Sequence, residues 1–448
     1  MTSGGRGSGA WARGAHQAGL AVVVGAVCGL GAALFLHGLA HVTAHRAGDG
    51  SLGGDRLLFA LPLAGLALGW VLERFGRLSD GRSVMAGQEL VLEALHGGHR
   101  AVPRRLGPVV VLGTLVTHAF GGSAGREGTA VQMGAAAGEA VATHLRAPRV
   151  WRRALIQAGV AGGFGAVFGT PLAAILFALE LPTVGRLEAR GLLPATLAAV
   201  TGDLVARALG ATHDALPRPA EVALTAPLAL GWVLFGGVMA GAARGHMALV
   251  GAVRAVSARI LPRLAWRLAA GGLAVTVVAS VLGAQDALGL SLPMMQDAFA
   301  GTPASPWWDM LAVPWPLAAA LLAVAIKLVL TALTVGTGFP GGEVTPLLVV
   351  GAVLGAALAD PLGVSPALAA GVGMAAVFGA AANTPLALVV MAVEVLGAAV
   401  LPHAVLATVS AWYLTGRRGL HAGQRVAVTK DGEDATSLES QGLPPHQG

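Results

Sequence analysis

Charge is scarce in this 448-residue chain: Asp, Glu, Lys and Arg together make up 12% of it, about half of the roughly 25% usual in soluble proteins. A soluble domain of this length needs far more charge on its surface, so that class is excluded. Aromatics reach only 5%, and the one tyrosine is Tyr413. Cys28 is the one cysteine and lies inside an apolar run, which rules out a disulfide framework or a thiolate metal site. Lysine is nearly absent too, outnumbered by arginine 27 to 2, and the arginines fall in short runs between apolar stretches. That is the loop charge of a positive-inside membrane protein. The net charge of +6 is therefore no sign of a nucleic-acid partner.

What remains is 55% apolar and carries 66 glycines. Disorder needs less apolar content and collagen needs a strict glycine period, so neither fits. The class expected is an all-α polytopic membrane protein, embedded in a lipid bilayer. Apolar segments lie at about 17–43, 57–74, 106–120, 128–145, 153–181, 192–210, 222–253, 267–290, 312–336, 344–362, 366–382, 385–397 and 400–414. Several fall short of the ~20 residues of a simple span, and many are broken by Gly or Pro. Broken helices with ends at membrane depth are tolerated only where they line a cavity or are buried in protein. The polar residues 1–16 are expected to be a cytoplasmic N-terminal segment. The run 17–43 is too long for a signal-peptide core and lacks a small-residue cleavage site, so it reads as a retained first helix. The membrane body is placed at 17–425, in halves of about 17–215 and 222–425. Residues 426–448 are expected to be a polar tail without a regulatory domain.

An internal repeat supports the two halves. Val160-Ala-Gly-Gly-Phe-Gly-Ala-Val-Phe-Gly-Thr-Pro-Leu-Ala-Ala-Ile-Leu-Phe-Ala-Leu-Glu180 matches Met374-Ala-Ala-Val-Phe-Gly-Ala-Ala-Ala-Asn-Thr-Pro-Leu-Ala-Leu-Val-Val-Met-Ala-Val-Glu394. Phe164 and Phe378, Pro171 and Pro385, and Glu180 and Glu394 are each 214 residues apart. Upstream of each copy is a second glycine-rich break, Gly125-Arg-Glu-Gly-Thr129 and Gly341-Gly-Glu-Val-Thr345. Their glutamates, Glu127 and Glu343, are 216 apart, a slip of two. Chance Gly/Ala similarity does not explain Phe-Gly-Ala, Thr-Pro-Leu-Ala and a trailing Glu recurring at one offset. Related halves with breaks at matching places point to a transporter site at the repeat interface.

A helix starting near Gly128 turns its unpaired N–H groups and positive dipole end back at the first break, which makes an anion seat without a buried cation. Glu127 lies where that anion would sit. Ionised, its carboxylate fills the seat; protonated, it leaves, and anion movement is coupled to a proton. The bland alternative is that Glu127 only caps the helix. An ionisable group beside lipid-depth apolar residues is functional by default. At the second break Pro346 suits a first helical turn. Thr345 is either a hydroxyl donor into a cavity or an N-cap, and Glu343 either a site carboxylate or a surface-loop residue. Lys327, inside the apolar run before this break, is expected to neutralise a carboxylate or cap carbonyls. Glu180 and Glu394 trail their runs and read as structural. His118 reads as a packing residue. No metal-ligand cluster, nucleophile triad or phosphate-loop lysine is present, so no enzyme, metal or cofactor is expected.

From about 17 to 425 the chain resembles the CLC family of anion channels and antiporters, on Gly125-Arg-Glu-Gly-Thr, Val131-Gln-Met-Gly134 and Gly169-Thr-Pro-Leu-Ala-Ala-Ile-Leu-Phe-Ala-Leu-Glu180. The resemblance implies a homodimer whose subunits each carry a pore and two inverted halves of tilted, broken helices. It implies Glu127 as the gating glutamate, with Gly125, Arg126, Gly128 and Thr129 in the anion pathway; Thr129 replaces the family's proline. The second-half motif Gly342-Glu-Val-Thr-Pro346 departs from the common G-x-F-x-P and looks like the fluoride-exporting branch. There Glu343 and Thr345 are implicated in transport, with Gly342, Val344 and Lys327 beside them. The first motif maps to Gly87-Gln-Glu-Leu-Val91, so Gln88 stands where chloride transporters have a coordinating serine. The inner proton glutamate of chloride antiporters is replaced by Leu181, and the inner-gate tyrosine aligns with His421; Tyr413 is eight residues away. The function this implies is proton-coupled fluoride export through a glutamate-gated pore in a bacterial inner membrane. A chloride channel or chloride/proton antiporter is the alternative, and a non-transporting membrane scaffold is a third. Fluoride is strongly hydrated, so a site that takes it needs strong donors: helix-end N–H groups, a Thr hydroxyl or a protonated Glu.

Overall fold

The computed structural model describes residues 4–46, 54–78, 81–97, 101–213, 215–302, 316–417 and 419–430. Helices dominate: α1 Gly4–Ala44, α2 Gly54–Phe59, α3 Leu61–Phe75, α4 Gly87–Leu95, α5 Leu106–Ala119, α6 Glu127–His144, α7 Arg149–Phe168, α8 Pro171–Glu180 and α9 Leu192–Ala208. The second half holds α10 Ala226–Ile260, α11 Leu264–Val281, α12 Leu292–Ala300, α13 Pro316–Val335, α14 Val344–Ala357, α15 Ala359–Leu362, α16 Pro366–Ala382, α17 Pro385–Leu396 and α18 Leu401–Leu414. Among the described residues, four helical stretches are long and apolar enough to cross a membrane: Ala12–Ala44, Ala226–Ile260, Leu264–Val281 and Leu317–Val335. Most others, α6, α8, α14, α16 and α17 among them, are shorter than a span or close to its lower limit, as the broken apolar runs imply.

Three boundaries differ from the sequence expectation. The helix opening the chain reaches back to Gly4, so most of the polar segment 1–16 is its first four turns rather than a separate element. The run 153–181 is two helices. Gly169 ends α7 in the left-handed conformation (φ 73°) and Pro171 starts α8, a C′ glycine followed by an N1 proline. The body also extends past 425. The strand β2, Arg425–Val426, pairs in parallel with β1, Thr183–Val184, and Ala427 N–H donates to Val184 O at 3.0 Å. Residues 431–448 of the expected tail lie outside the described residues.

Small residues set the helix spacing. A Cβ at Gly134 of α6 would lie 2.0 Å from Gly159 O of α7, and one at Gly138 would lie 2.2 Å from Leu155 O. The second half repeats this: a Cβ at Gly351 of α14 would lie 2.3 Å from Gly373 O of α16, and one at Gly355 would lie 2.2 Å from Ala369 O. Without a hydrophobic force between helices in lipid, such close backbone approach is a main source of packing energy. The pairs also fix the repeat. Gly134 and Gly351, and Gly138 and Gly355, are 217 apart, whereas Gly159 and Gly373, and Leu155 and Ala369, are 214 apart. The stretch of chain between the paired contacts is therefore three residues shorter in the second half.

Two of the places where the halves clasp each other join repeat-related elements. At the first, Glu180, closing α8, accepts N–H bonds from Leu386 (3.2 Å) and Ala387 (3.0 Å) in the first turn of α17. Glu394 of α17 accepts from Leu172 (2.9 Å) and Ala173 (2.7 Å) in the first turn of α8. Each acid caps the other half's helix, with every partner related at offset 214. At the second, Gly125 and Gly342 form an antiparallel bridge, Gly125 N–H to Gly342 O at 2.6 Å and Gly342 N–H to Gly125 O at 2.7 Å.

Candidate functional site

The Gly125–Gly342 bridge brings the starts of α6 and α14 together. Both glycines are required there. A Cβ on Gly125 would stand 2.8 Å from Glu127 Oε2 and 2.9 Å from Thr345 N, and one on Gly342 would stand 2.8 Å from Gly128 N. Glycine thus lets each backbone approach the other helix's N-terminal N–H groups.

Glu127 is the first residue of α6 and is buried. Its carboxylate reaches across the bridge to α14. Thr345 donates its N–H to Oε2 at 3.1 Å, and its hydroxyl lies 2.5 Å from both carboxylate oxygens. Arg126 N–H adds a bond at 3.0 Å, and Arg126 Nε lies 3.6 Å from Oε1. The carboxylate therefore fills a seat made of two helix N-termini and a hydroxyl. An isolated buried carboxylate costs several kcal/mol; three charge-assisted bonds and two helix dipole ends offset that. The same donors suit a small anion once the side chain leaves.

Thr345 is the second residue of α14, not its N-cap, so of its two expected roles the hydroxyl donor is the one observed. Pro346 falls in the first turn, as expected. Val344 opens the helix and is buried. Thr129 is turned away from the seat, its hydroxyl 2.7 Å from that of Thr114. Gly128 lies behind it, against Gly342.

Glu343 holds the cap position of α14 without its side chain capping the helix. Its carboxylate instead meets His246 Nε2 at 3.0 Å and Arg254 Nη2 at 3.5 Å, both from α10, and lies in the field of His421. It is 14% exposed, which overturns the surface-loop reading. In the 217 register Glu343 corresponds to Arg126, and Glu127 to Val344. The two glutamates are not repeat equivalents; the expected slip of two came from aligning acids rather than backbone.

Lys327 is wholly buried on α13. Its ammonium donates to Ser123 Oγ (2.9 Å), Ala287 O (3.1 Å), Gly289 O (3.1 Å) and Ser291 Oγ (2.7 Å). It caps carbonyls, as one of its two expectations had it, and among the described residues no carboxylate joins that shell. Ser123 sits two residues before Gly125, so Lys327 braces the loop carrying Glu127. His118 braces it as well, between Thr114 O (2.8 Å) and Ala124 O (3.1 Å), in the packing role expected. Gly87 starts α4 against Gln132 of α6, and Gln88, the next residue, is half-buried. Among the described residues Gln88 makes no hydrogen bond to Glu127 or Thr345.

His246 and Arg254 went unnoticed in the sequence. The available signal was a histidine inside the apolar stretch of α10, an ionisable group at membrane depth.

The voltage gated chloride channel family model matches residues 64–416. The chain is 36% identical over 422 residues to a chloride/fluoride channel protein of Pseudomonas syringae pv. tomato, covering 92% of this chain and 86% of that one. The fold superposes on the crystal structure of a CLC-type fluoride/proton antiporter with TM-score 0.82 and 31% identity, over 92% of this chain and 98% of the other. A slow cyanobacterial Cl⁻/H⁺ antiporter matches with TM-score 0.72 at 18% identity, over 89% and 94% of the two chains. That last likeness concerns the fold alone.

Proposed function

The chain belongs to the voltage-gated chloride channel family, and on that premise we propose that it exports fluoride in exchange for protons. It is an integral membrane anion transporter with the inverted-repeat fold of that family. The observation carrying the proposal is the Glu127 carboxylate seated on Thr345 N–H and hydroxyl at the joint of α6 and α14. Protonation removes the charge that holds the side chain there. The seat then takes an anion, and the anion's departure lets the glutamate ionise and return. The occupant and the gate thus compete for one set of donors, which couples them.

Fluoride fits the donors better than chloride does. Its hydration is strong, so a site must replace water with short, polar donors. A Thr hydroxyl 2.5 Å from the seated oxygens is such a donor. The Gly125 and Gly342 backbones, rather than bulky side chains, wall the seat. The likeness to a structure described as a CLC-type fluoride/proton antiporter supports the same choice. Within this reading Glu127 is the gate, Glu343 the second proton carrier and Thr345 the anion donor. Gly125, Arg126 and Gly342 shape the seat. Gly128, Thr129, Val344, Gly87, Gln88 and Lys327 flank the path, and His421 lies toward its inner end. The working unit is a homodimer in a bacterial inner membrane, the arrangement implied by the motif resemblance.

Reconstitution in liposomes tests this. Ion-selective electrodes are expected to record fluoride efflux at least tenfold faster than chloride efflux, with protons moving the other way. Chloride moving as fast as fluoride would sink the fluoride assignment.

A further inference from the structure

Beyond Glu343, the structure holds a second group suited to carry the proton. His246 lies in the middle of α10 and is wholly buried. Its Nε2 meets Glu343 Oε2 at 3.0 Å, while its Nδ1 is buried with no hydrogen-bond partner. His118 differs, since each of its ring nitrogens faces a backbone carbonyl and neither faces a carboxylate. A ring tied to a carboxylate at one nitrogen and open at the other has a different use.

We infer that His246 is a proton relay serving Glu343, taking a proton at Nδ1 and passing one from Nε2 to the Glu343 carboxylate. The inference rests on the proton-coupled reading of Glu343. An ionised carboxylate only accepts, so the resting ring carries its proton on Nε2 and leaves Nδ1 as a bare lone pair. A proton delivered by water to Nδ1 makes the imidazolium. The Nε2 proton then crosses the 3.0 Å bond to Oε2, leaving neutral Glu343 and a neutral ring protonated on Nδ1. Once Glu343 has passed its proton on, exchange with water, losing the Nδ1 proton and gaining one at Nε2, restores the first tautomer with no net proton. Histidine suits this task because its two ring nitrogens let a proton enter on one side and leave on the other.

The surroundings leave the pair electrically distinct. On α10, Arg254 sits eight residues from His246, about 12 Å along the axis. It is 60% exposed and reaches back to Glu343 Oε1, so Glu343 bridges a solvent-facing cation and the buried ring. His421 is the other group in the Glu343 field. The elements packed on α10 add little else. The helix α16 has no titratable residue. Lys327 of α13 is committed to its shell, and His403 of α18 bonds Trp232 and Val222 O. Arg244 and Arg259 on α10 itself, Tyr413 of α18, Asp360 of α15 and Arg267 of α11 complete the set.

The test compares fluoride-driven proton uptake in liposomes holding the full-length protein. His246→Gln keeps an amide donor facing Glu343 but cannot exchange a proton through the ring, so a lost structural bond does not explain a fall. Uptake is expected to drop at least tenfold. In parallel, His246→Ala is assayed with imidazole and with pyrazole, which fills the same space but is a far weaker base. Recovery with imidazole only is expected. Wild-type uptake in His246→Gln, or equal recovery with both compounds, would overturn the relay. A wild-type protein that moves fluoride without protons would instead sink the exchange reading beneath it.

Discussion

Two places where the halves meet use the same kinds of element and reach opposite results. At α8 and α17 each helix N-terminus is capped by the other half's glutamate, Glu394 or Glu180. The arrangement is reciprocal, closed and at offset 214 throughout. At α6 and α14 the backbone is just as symmetric, through the Gly125–Gly342 bridge, but the side chains are not. Glu127 spans the joint to Thr345, while Glu343 turns to His246 and Arg254. The first joint spends both acids on holding the halves together. The second keeps one acid in a seat it can leave and sends the other to a histidine. Symmetry here marks a clamp, and its loss marks a site.

The largest effect is expected where that asymmetry is removed. Glu127→Gln erases the charge that holds the gate in its seat. Fluoride-driven proton uptake should fall at least a hundredfold, while the protein still purifies as a folded species. A variant that instead unfolds, with coupling intact in the surviving fraction, would make Glu127 a clamp like Glu180. Next is Thr345→Val, which keeps the shape and removes the hydroxyl. A hydrogen bond to a charged group is worth about 1.5–3 kcal/mol, so apparent fluoride affinity should fall about tenfold or more. Fluoride titration of efflux rates measures it, and unchanged affinity would take Thr345 out of the pathway.

The clamp is expected to respond in stability alone. Glu180→Gln and Glu394→Gln each weaken two N–H bonds from a charge-assisted to a neutral kind, at about 1–3 kcal/mol. Thermal melting in detergent should show similar losses for the two, since their partners are repeat equivalents. The ratio of protons to fluoride should stay at the wild-type value. A changed ratio in either variant would give the clamp a transport role and erase the contrast.

Much of this contrast is legible in the sequence. A glycine-rich break followed by an apolar run puts the start of α6 near Gly128, and the helix begins one residue earlier, at Glu127. The trailing glutamates read as structural, and each is found capping the other half's helix. The register of the second break was misread because two acids were aligned with each other. The equivalence actually lies in the glycines, Gly125 with Gly342, whose job is backbone approach. The α7–α8 break hid inside one apolar run, although Gly169-Thr-Pro carries a stop and a start signal side by side. The shell of Lys327 was out of reach: its four partners lie 36 to 204 residues away, and two are backbone carbonyls with no sequence signature.

The smallest effect is expected at the hydroxyls inside the clamp. Thr170 and Thr384 precede Pro171 and Pro385, again 214 apart, and both hydroxyls are buried without a hydrogen-bond partner among the described residues. Neither caps its helix, because the opposite half's glutamate already satisfies the first-turn N–H groups. An unpaired buried hydroxyl contributes nothing favourable and costs about 1–3 kcal/mol of desolvation. Valine has nearly the same shape and no such cost. Thr170→Val and Thr384→Val should therefore leave the melting temperature unchanged or raise it slightly, by the same amount in each. Transport should not change. A drop of several degrees in one variant but not the other would show that one hydroxyl is put to use. The clamp would then share the asymmetry that sets the Glu127 joint apart.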